Sequence, residues 1–528
     1  MKLRDVLKYD CFLSGEDQKE ITGITYDSRR VREGFIFVAI QGGTADGHNY
    51  IDGAIAKGAT AVVCDKGHPK LDGLINKYPA VSWIAVNDCR EALAAFSSAF
   101  YGNPSAEMGL IGITGTNGKT TTSYLIKSVL EKCDKGVGLI GTINYMIKYE
   151  LFDAPHTTPE ASDFQRLLRE MAEKGCDYVI AEVSSHAIVQ KRTGYTQFKV
   201  AIFTNLTRDH LDFHGTMEEY FNAKTGLFLD LLGEDGTAVI NLDDPYGKRL
   251  SSLLKEQRPS IRQITFAIFN QDADVAVMDI RATFRGTSFR VRMKDGLCGT
   301  EFFSPLVGQT SIYNILSAMC AVLPLDVPIE LIREGISALD LVKGRFERVD
   351  LGQPFLAVVD YAHTDDALER LLSTARQLLH DNRSGRKDAV QGKIITVFGC
   401  GGNRDSGKRP KMGRIASVLS DFAIITSDNP RNEDPALIIK DIEAGIEKDN
   451  YIIIPDRRTA IRLAVLLASP GDIVVAAGKG HEDYQDIGAV RYPFSDRTVV
   501  EEAIIESTAV NTRGRTKKRY VGAAKCLR

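Results

Sequence analysis

No C-x-x-C pair occurs in this sequence, and its nine cysteines are scattered and odd in number. That pattern argues against a disulfide framework and fits reduced thiols, buried as small hydrophobes, in a cytoplasm. No run approaches the ~20 apolar residues that a membrane-spanning helix needs. The opening MKLRDVLKYDCFLSGEDQ carries charges where a signal peptide needs an apolar core. There is one tryptophan, aromatics are only 8%, and 66 basic residues are outweighed by 69 acidic ones. The net charge of −3 gives the body no polycationic field for nucleic acid, and so few aromatics offer no dedicated surface for stacking bases. What remains is a soluble, cytosolic globular protein.

The chain is long enough, at 528 residues, for three or four domains, and 44% apolar content supplies a core for each. From 1 to 105, short apolar runs (36–41, 59–64, 81–86) alternate with helix-like segments, which predicts a small α/β domain. From 106 to 341, strands at 110–114, 177–183, 198–204 and 237–242 are separated by helices, as in a mostly parallel sheet with crossovers. Within it, 273–303 switches to short alternating segments, read as an antiparallel patch. Around Val342-Lys343-Gly344 the pattern restarts, and five strand candidates to about 505 predict a Rossmann-like doubly wound domain. The fold class expected is thus α/β, with a P-loop-type central domain. The insert 380–393 is polar and reads as a surface loop. In the tail 506–528, seven basic residues from Arg513 to Arg528 occur with no acidic residue after Glu506. It reads as a disordered, solvated tail, the sharper alternative being a tether to an anionic partner.

The segment Gly112-Ile-Thr-Gly115-Thr116-Asn117-Gly118-Lys119-Thr120-Thr121 joins a strand to a helix. Glycines let such a loop approach phosphate oxygens closely, its N–H groups surround them, and the helix N-terminus adds positive partial charge. Lys119 can reach the outer phosphates and the Thr120 hydroxyl can bind Mg²⁺. The spacing is not that of a Walker A loop: Gly112 is one residue too far, and Ile113 stands at the expected Gly position. Glu182 ends the next central strand, at the carboxyl edge where doubly wound folds bind ligands. A further strand runs into Asp209-His210, and a helix then carries Lys224. Glu182 and His210 suit cations that offset charge on a nucleotide and an incoming carboxylate. His210 and His214 form an i, i+4 pair, but with no third Cys or His at suitable spacing a zinc site is not supported.

The G-T-N-G-K-T loop in this setting resembles the ATP loop of the Mur ligase and folylpolyglutamate synthetase superfamily, and the resemblance runs over roughly residues 20 to 500. It implies ATP bound by Gly115 to Thr121 together with Asn314, Arg345, Asp360 and His363. Asp360 would approach the ribose and Arg345 the phosphates. It implies that Lys224 is carbamylated by CO₂, because an ammonium repels Mg²⁺ whereas a carbamate offers it an anionic oxygen. Thr120 and Glu182 would then serve one Mg²⁺, and Glu182, His210 and carbamylated Lys224 a second. Catalysis would fall to Lys119, Glu182, His210 and Lys224. The stretches Tyr26-Asp27-Ser28-Arg29-Arg30 and Asp46-Gly47-His48-Asn49-Tyr50 resemble the family's uridine-diphosphate-binding start, with Ser28 at the nucleotide end. Thr157, Thr158, Ser184, Gln190 and Arg192 resemble its sugar-peptide contacts.

The third domain carries Asn403-Arg404-Asp405, then Asp428-Asn429-Pro430-Arg431, then Gly478-Lys479-Gly480-His481-Glu482. In the family, D-N-P-R marks members that accept meso-diaminopimelate, which differs from lysine by a carboxylate at its far end. An Arg fork satisfies that carboxylate, and with lysine its charge would go unpaired. Arg404, Asp428, Asn429, Pro430, Arg431, Gly478 and Glu482 are the candidate pocket. Four positions depart from the family: Thr310 and Ser311 replace Phe and Asn of a G-x-F-N-x-x-N segment ending at Asn314, Asp365 replaces a Pro, and Asn403 replaces an Asp. The resemblance implies a monomeric ATP-dependent ligase joining meso-diaminopimelate to UDP-N-acetylmuramoyl-L-alanyl-D-glutamate through an acyl phosphate, in peptidoglycan synthesis. A ligase adding L-lysine or another amino acid, and a nucleotide-binding paralogue without catalysis, stay open at this point.

Overall fold

The computed structural model describes every residue except Thr44, Asp295, Leu297, 384–391 and 513–528. The basic residues of the tail and most of the polar insert therefore lie outside the described residues. Helices Asp365–Arg383 and Asp496–Thr512 take in the first residues of each. The chain forms two compact units. One comprises Met1–Leu206, Phe213–Val275 and Leu316–Gly335; the other comprises Thr207–Asp212, Ala276–Ile315 and the chain from Ile336 onward.

The first unit opens with a five-stranded sheet. Its order is Phe12–Ser14, Ser82–Val86, Ala59–Asp65, Phe35–Val38, Gly23–Thr25, all parallel except the first. Its strands are apolar on both faces, as sheets covered on both sides are. Ile36, Val38, Val63 and Ile84 face the helix Cys89–Phe100, while Phe37, Val62 and Trp83 face the helix Ile51–Ala56. Asp88 starts the longer helix by accepting from the Arg90 and Glu91 N–H groups at 2.8 and 3.1 Å.

A second sheet in this unit runs in the order Arg262–Ala267, Leu232–Asn241, Phe198–Phe203, Gly109–Thr114, Tyr178–Glu182, Val137–Ile140, Asn144–Ile147, Glu150–Asp153. The first six strands are parallel, and each of the last two pairs antiparallel with the strand before it. The three middle strands are buried towards their carboxyl ends, which deliver Thr114, Glu182 and Phe203 to one edge.

In the second unit a six-stranded sheet has the order Glu347–Val349, Leu356–Asp360, Ile473–Ala477, Ile394–Phe398, Phe422–Ile425, Tyr451–Ile453. All pairs are parallel except the first. The chain fills positions outward to Tyr451–Ile453 and then returns to insert Ile473–Ala477 between its first two parallel strands. That reversal opens a crevice beyond the carboxyl ends, where Asp360 ends its strand and Gly399, Asp428 and Gly478 follow theirs. The alternating segments at 273–303 form the antiparallel strands Val275–Thr283, Gly286–Met293 and Cys298–Ser304, which from Ala276 onward belong to this unit. Ala282 and Val307 join the core of Leu356, Leu368 and Leu372. Among the described residues no helix is long and apolar enough to cross a membrane, and Cys11, Cys64, Cys89, Cys133, Cys176, Cys320 and Cys400 are free thiols.

Candidate functional site

The Gly-rich loop leaves the strand Gly109–Thr114 and enters the helix Lys119–Lys132, whose N-cap is Gly118 at φ 93°. Gly115 sits at φ 141°, and a Cβ there would lie 1.9 Å from Thr204 Oγ1. Only glycine fits that approach. The loop is clamped by the end of the neighbouring strand. Thr116 N–H donates to Asn205 O at 2.9 Å, Asn117 N–H to Asn205 Oδ1 at 3.1 Å, and Asn205 Nδ2 and Thr204 Oγ1 donate to Asn117 O at 3.0 and 2.7 Å. Lys119 lies over the loop, its Nζ 2.8 Å from Gly115 O and 2.9 Å from Thr116 O. Lys224, buried on the helix Met217–Leu229, donates to the same Gly115 oxygen at 3.1 Å and lies 4.6 Å from the Tyr220 ring centroid.

Glu182 is fully buried. Its Oε2 accepts from Thr120 Oγ1 at 3.0 Å and from Thr142 Oγ1 at 2.9 Å, and its Oε1 from the Thr142 N–H at 3.0 Å. Four oxygens from three residues are thus gathered at the start of the loop helix, the hard-donor set that Mg²⁺ takes. Thr142 is absent from the sequence-based site. Sequence gives little sign of it, since it lies in a turn after a four-residue strand.

The expected sugar-peptide residues are physically linked to this carboxylate. Thr142 Oγ1 is 3.1 Å from Thr157 Oγ1, and Thr158 Oγ1 donates to Glu182 O at 2.8 Å. Ser184 N–H donates to Thr158 Oγ1 at 3.2 Å, while the Ser184 hydroxyl caps the short helix Ser185–Val189 by accepting from Ala187 N–H. Arg192 donates to Thr158 O at 3.0 Å and to Gln190 Oε1 at 2.7 Å, and pairs with Glu160 at 3.0 Å. Arg90 approaches Glu160 at 3.5 Å, and Arg30 pairs with Asp163 at 2.9 Å. Ser28 lies in the turn after Gly23–Thr25, its carbonyl accepting from Lys57 at 3.0 Å. Beside it the Tyr26 hydroxyl is pushed up to about 12 by burial and by Asp163 and Glu160. His214 Nε2 is 2.9 Å from Ser185 Oγ, and its ring stacks on Tyr220.

In the second unit His210 has φ 52°, and its Nε2 lies 3.4 Å from Asp209 Oδ2. Asn314 is buried on the helix Gln309–Val322, and the departure Ser311 donates back to Val307 O, just ahead of that helix, at 2.8 Å. Asp360 accepts from the Phe346 and Ala362 N–H groups at 2.6 and 2.8 Å. Burial nevertheless raises its pKa, with Arg345 opposing. The Arg345 guanidinium lies 4.9 Å from the Tyr361 ring centroid, and His363 and His481 pack on that ring at 4.6 and 4.9 Å. Both imidazoles are pushed down to about 4, by burial first and then by neighbouring cations. Asp365, another departure, is the first residue of the helix Asp365–Arg383, where a carboxylate suits the positive end of the helix.

At the other side of the crevice Arg431 has φ 51°, donates from Nη1 to Gly402 O at 2.8 Å, and is held by Asp486 O and the Gly488 N–H. Arg404 is exposed. Asn403 sits at φ 52°, where Asn is more at ease than most residues, and its N–H donates to Glu433. Asp428, Asn429 and Pro430 are buried, and Asn429 donates to Glu482 Oε2 at 2.8 Å. Beneath them lies a second residue missing from the sequence-based site: Lys479, with no exposed side chain, contacts Asp428, Asn429 and Glu482.

The Mur ligase family catalytic domain matches residues 20–101, the Mur ligase middle domain 113–322, and the Mur ligase glutamate ligase domain 344–480. The chain is similar to the UDP-N-acetylmuramoyl-L-alanyl-D-glutamate–2,6-diaminopimelate ligase of Clostridium botulinum, at 44% identity over 93% of this chain and 96% of that protein. It is 42% identical to the ligase of the same name from Clostridium tetani, over 96% of this chain and all of that protein. A solved structure of a ligase of that name superposes with a TM-score of 0.67 at 31% identity, covering 96% of this chain and 99% of the other.

Proposed function

This chain belongs to the Mur ligase family, and from that membership we propose that it is the ATP-dependent ligase that adds meso-diaminopimelate to UDP-N-acetylmuramoyl-L-alanyl-D-glutamate in peptidoglycan synthesis. The observation that carries the reading is the near full-length match to ligases of that name. The presence of Arg431 in the expected strand-end turn supports it. The reading extends to action as a monomer in the cytoplasm, in keeping with the free thiols.

The chemistry follows from what a carboxylate cannot do. Its resonance makes the carbon a poor electrophile, so an amine does not displace its oxygen directly. A D-glutamyl carboxylate oxygen attacks the ATP γ-phosphorus, the bond to the bridging oxygen of ADP breaks, and an acyl phosphate forms. The diaminopimelate amine then attacks the acyl carbon. The new C–N bond replaces the bond to the phosphate oxygen, and the amine proton passes to solvent. Lys119 and the N–H groups of the Gly115–Thr121 loop stabilise charge on the transferring phosphoryl group. Asp360 and Arg345 serve the nucleotide's ribose and phosphates, with Asn314 and His363 beside them. Ser28, Thr157, Thr158, Ser184, Gln190 and Arg192 orient the sugar-peptide.

The oxygens of Thr120 and Glu182 fit magnesium, which when bound offsets the negative charge of the phosphates and the attacking carboxylate. His210 and Lys224 are its further proposed ligands. An ammonium at Lys224 would add a second cation at the oxygen that Lys119 already holds. Reaction of the amine with CO₂ gives a carbamate and a proton, and puts an anion there instead. Arg431 and Arg404 suit the far carboxylate of diaminopimelate, with Asp428, Asn429, Pro430, Gly478 and Glu482 around its ammonium.

The test is an amino-acid panel with purified protein, ATP and the UDP-muramoyl dipeptide. ADP, phosphate and a tripeptide product are expected with meso-diaminopimelate and not with L-lysine. Equal use of lysine, or no product with any amine, overturns the reading.

A further inference from the structure

The Gly478-Lys479-Gly480-His481-Glu482 turn contains a lysine that the proposed reaction does not use. Lys479 carries its ammonium into a wholly buried position, with Nζ 2.8 Å from Asn429 Oδ1, 3.3 Å from Glu482 Oε2 and 3.4 Å from Asp428 Oδ1. An ammonium has three protons and no acceptor capacity, so these three oxygens use it completely. It has nothing left to offer a ligand directly. What it does offer is orientation and charge.

The orientation is specific. A cation can only donate, so Lys479 fixes the Asn429 amide with its oxygen inward, where it also accepts the Asp486 N–H at 3.0 Å. The amide nitrogen is thereby turned to Glu482 Oε2 at 2.8 Å. Both contacts to Glu482 use Oε2, and Oε1 carries neither. The same segment is tied down by Gln485, which donates to Asp428 O at 2.6 Å, and by Arg431 N–H donating to Asp486 O at 3.0 Å. The charge is equally specific, because two carboxyl groups share one ammonium. Lys479 alone leaves these two carboxyl groups one positive charge short.

We propose that Lys479 is the positioning residue of the amino-acid pocket, setting Asp428, Asn429 and Glu482 so that the pocket admits a single further ammonium, that of a ligand terminus that also bears a carboxylate. This rests on the assignment of Asp428, Asn429, Arg431 and Glu482 to the diaminopimelate site. Lys479 itself does not touch the amino acid. Without it two carboxyl groups face each other unneutralised, Asn429 is free to turn over, and the ligand ammonium binds a disordered, over-charged floor.

Glu482 reports on this. Burial raises its pKa, and Lys479 is the chief influence lowering it. The other charged or titratable groups acting with it are Asp428, Arg457, Arg491, Tyr361 and Tyr484. Removing Lys479 therefore lets Glu482 take up a proton at higher pH.

The experiment compares full-length wild type with Lys479→Met, Lys479→Gln and Lys479→Arg, each checked by thermal melting. It measures KM for the amino acid, ATP and the UDP-muramoyl dipeptide, and the pH profile of kcat/KM for the amino acid. In Lys479→Met and Lys479→Gln the amino-acid KM rises by about 30-fold or more while the other two KM values stay within about twofold. The acid limb of the profile moves to higher pH. Lys479→Arg keeps that limb where wild type has it. An amino-acid KM that does not move, or a uniform fall in activity with the acid limb unmoved, overturns the role of Lys479. The wild type's preference in the amino-acid panel tests the pocket assignment separately. If another amino acid is used, the variants are read with that one.

Discussion

Lys119 and Lys224 share one acceptor: the carbonyl oxygen of Gly115 lies 2.8 Å from the first ammonium nitrogen and 3.1 Å from the second. Two cations held at one oxygen, one of them fully buried, repel each other, and a low dielectric sharpens that repulsion. A carbamate on Lys224 removes it and leaves Lys119 as the cation for phosphate. Enzyme equilibrated with ¹³C-bicarbonate is expected to give a carbamate carbon signal that Lys224→Ala lacks. Lys224→Arg, which keeps the charge and cannot be carbamylated, is expected to lose about 100-fold or more in kcat. Wild-type activity in Lys224→Arg would end the carbamate reading.

Thr142 gives the Glu182 carboxylate two of its three hydrogen bonds. Thr142→Val keeps the shape and the backbone bond but deletes the hydroxyl at Oε2. The apparent Mg²⁺ requirement is expected to rise about tenfold, in line with what loss of a group supporting a metal ligand costs. Titrating the initial rate with MgCl₂ at saturating ATP measures it, and an unchanged curve would remove Thr142 from the site.

Most of the fold was legible because its central strands are continuous apolar runs. Gly109–Thr114, Tyr178–Glu182 and Phe198–Phe203 lie within a residue or two of the positions expected from hydropathy alone. Several of the strands that escaped notice are short or exposed. Phe12–Ser14 has three residues, and every side chain of Glu150–Asp153 faces solvent, so neither carries a burial pattern. The candidate site divides the same way. Loop residues such as Lys119 stand out because phosphate chemistry needs a rare grouping of residue types in a row. Thr142 and Lys479 are bonded to distant partners, Glu182 at 40 residues and Asn429 at 50, and linear spacing cannot express that. The antiparallel patch was foreseen, whereas its grouping with the second unit depends on contacts between chain segments far apart.

Arg431 occupies a left-handed backbone position, pinned on both sides by the 486–488 segment. That holds its fork in place before a ligand arrives, so binding costs little ordering. Arg431→Ala is expected to lower kcat/KM for meso-diaminopimelate by about 1,000-fold while leaving the low rate with L-lysine nearly unchanged, since lysine has no far carboxylate to lose. Competition between the two amino acids, with products separated by chromatography, measures the ratio. Equal losses for both would show that Arg431 acts on structure.

Beneath the same strand ends, Arg457 and Asp496 form a fully buried, two-point ion pair, Nε to Oδ1 at 2.7 Å and Nη2 to Oδ2 at 2.6 Å. Arg457 also donates to Ala477 O at 2.9 Å, just ahead of Gly478. Removing one member leaves an uncompensated buried charge, so Asp496→Ala is expected to destabilise the second unit by about 3–5 kcal/mol. Urea denaturation should show the loss in that unit's transition. A change below about 1 kcal/mol would mean that water reaches the guanidinium.

His481 packs on Tyr361 with Arg345 and Lys343 near it, and its imidazole is pushed down to about 4, first by burial. In the unfolded chain the same group titrates near 6.5. Protonation therefore favours the unfolded state. The stabilising effect of keeping this ring neutral is complete above pH 6.5 and drains away as pH falls from 6.5 towards 4. By linkage the loss at pH 5 is about 2 kcal/mol for a shift of this size. His363 is shifted in the same direction and adds to it. His481→Gln cannot titrate, so its urea midpoint is expected to fall less between pH 7 and pH 5 than that of the wild type. Parallel declines in the two proteins would place the acid sensitivity elsewhere in the chain.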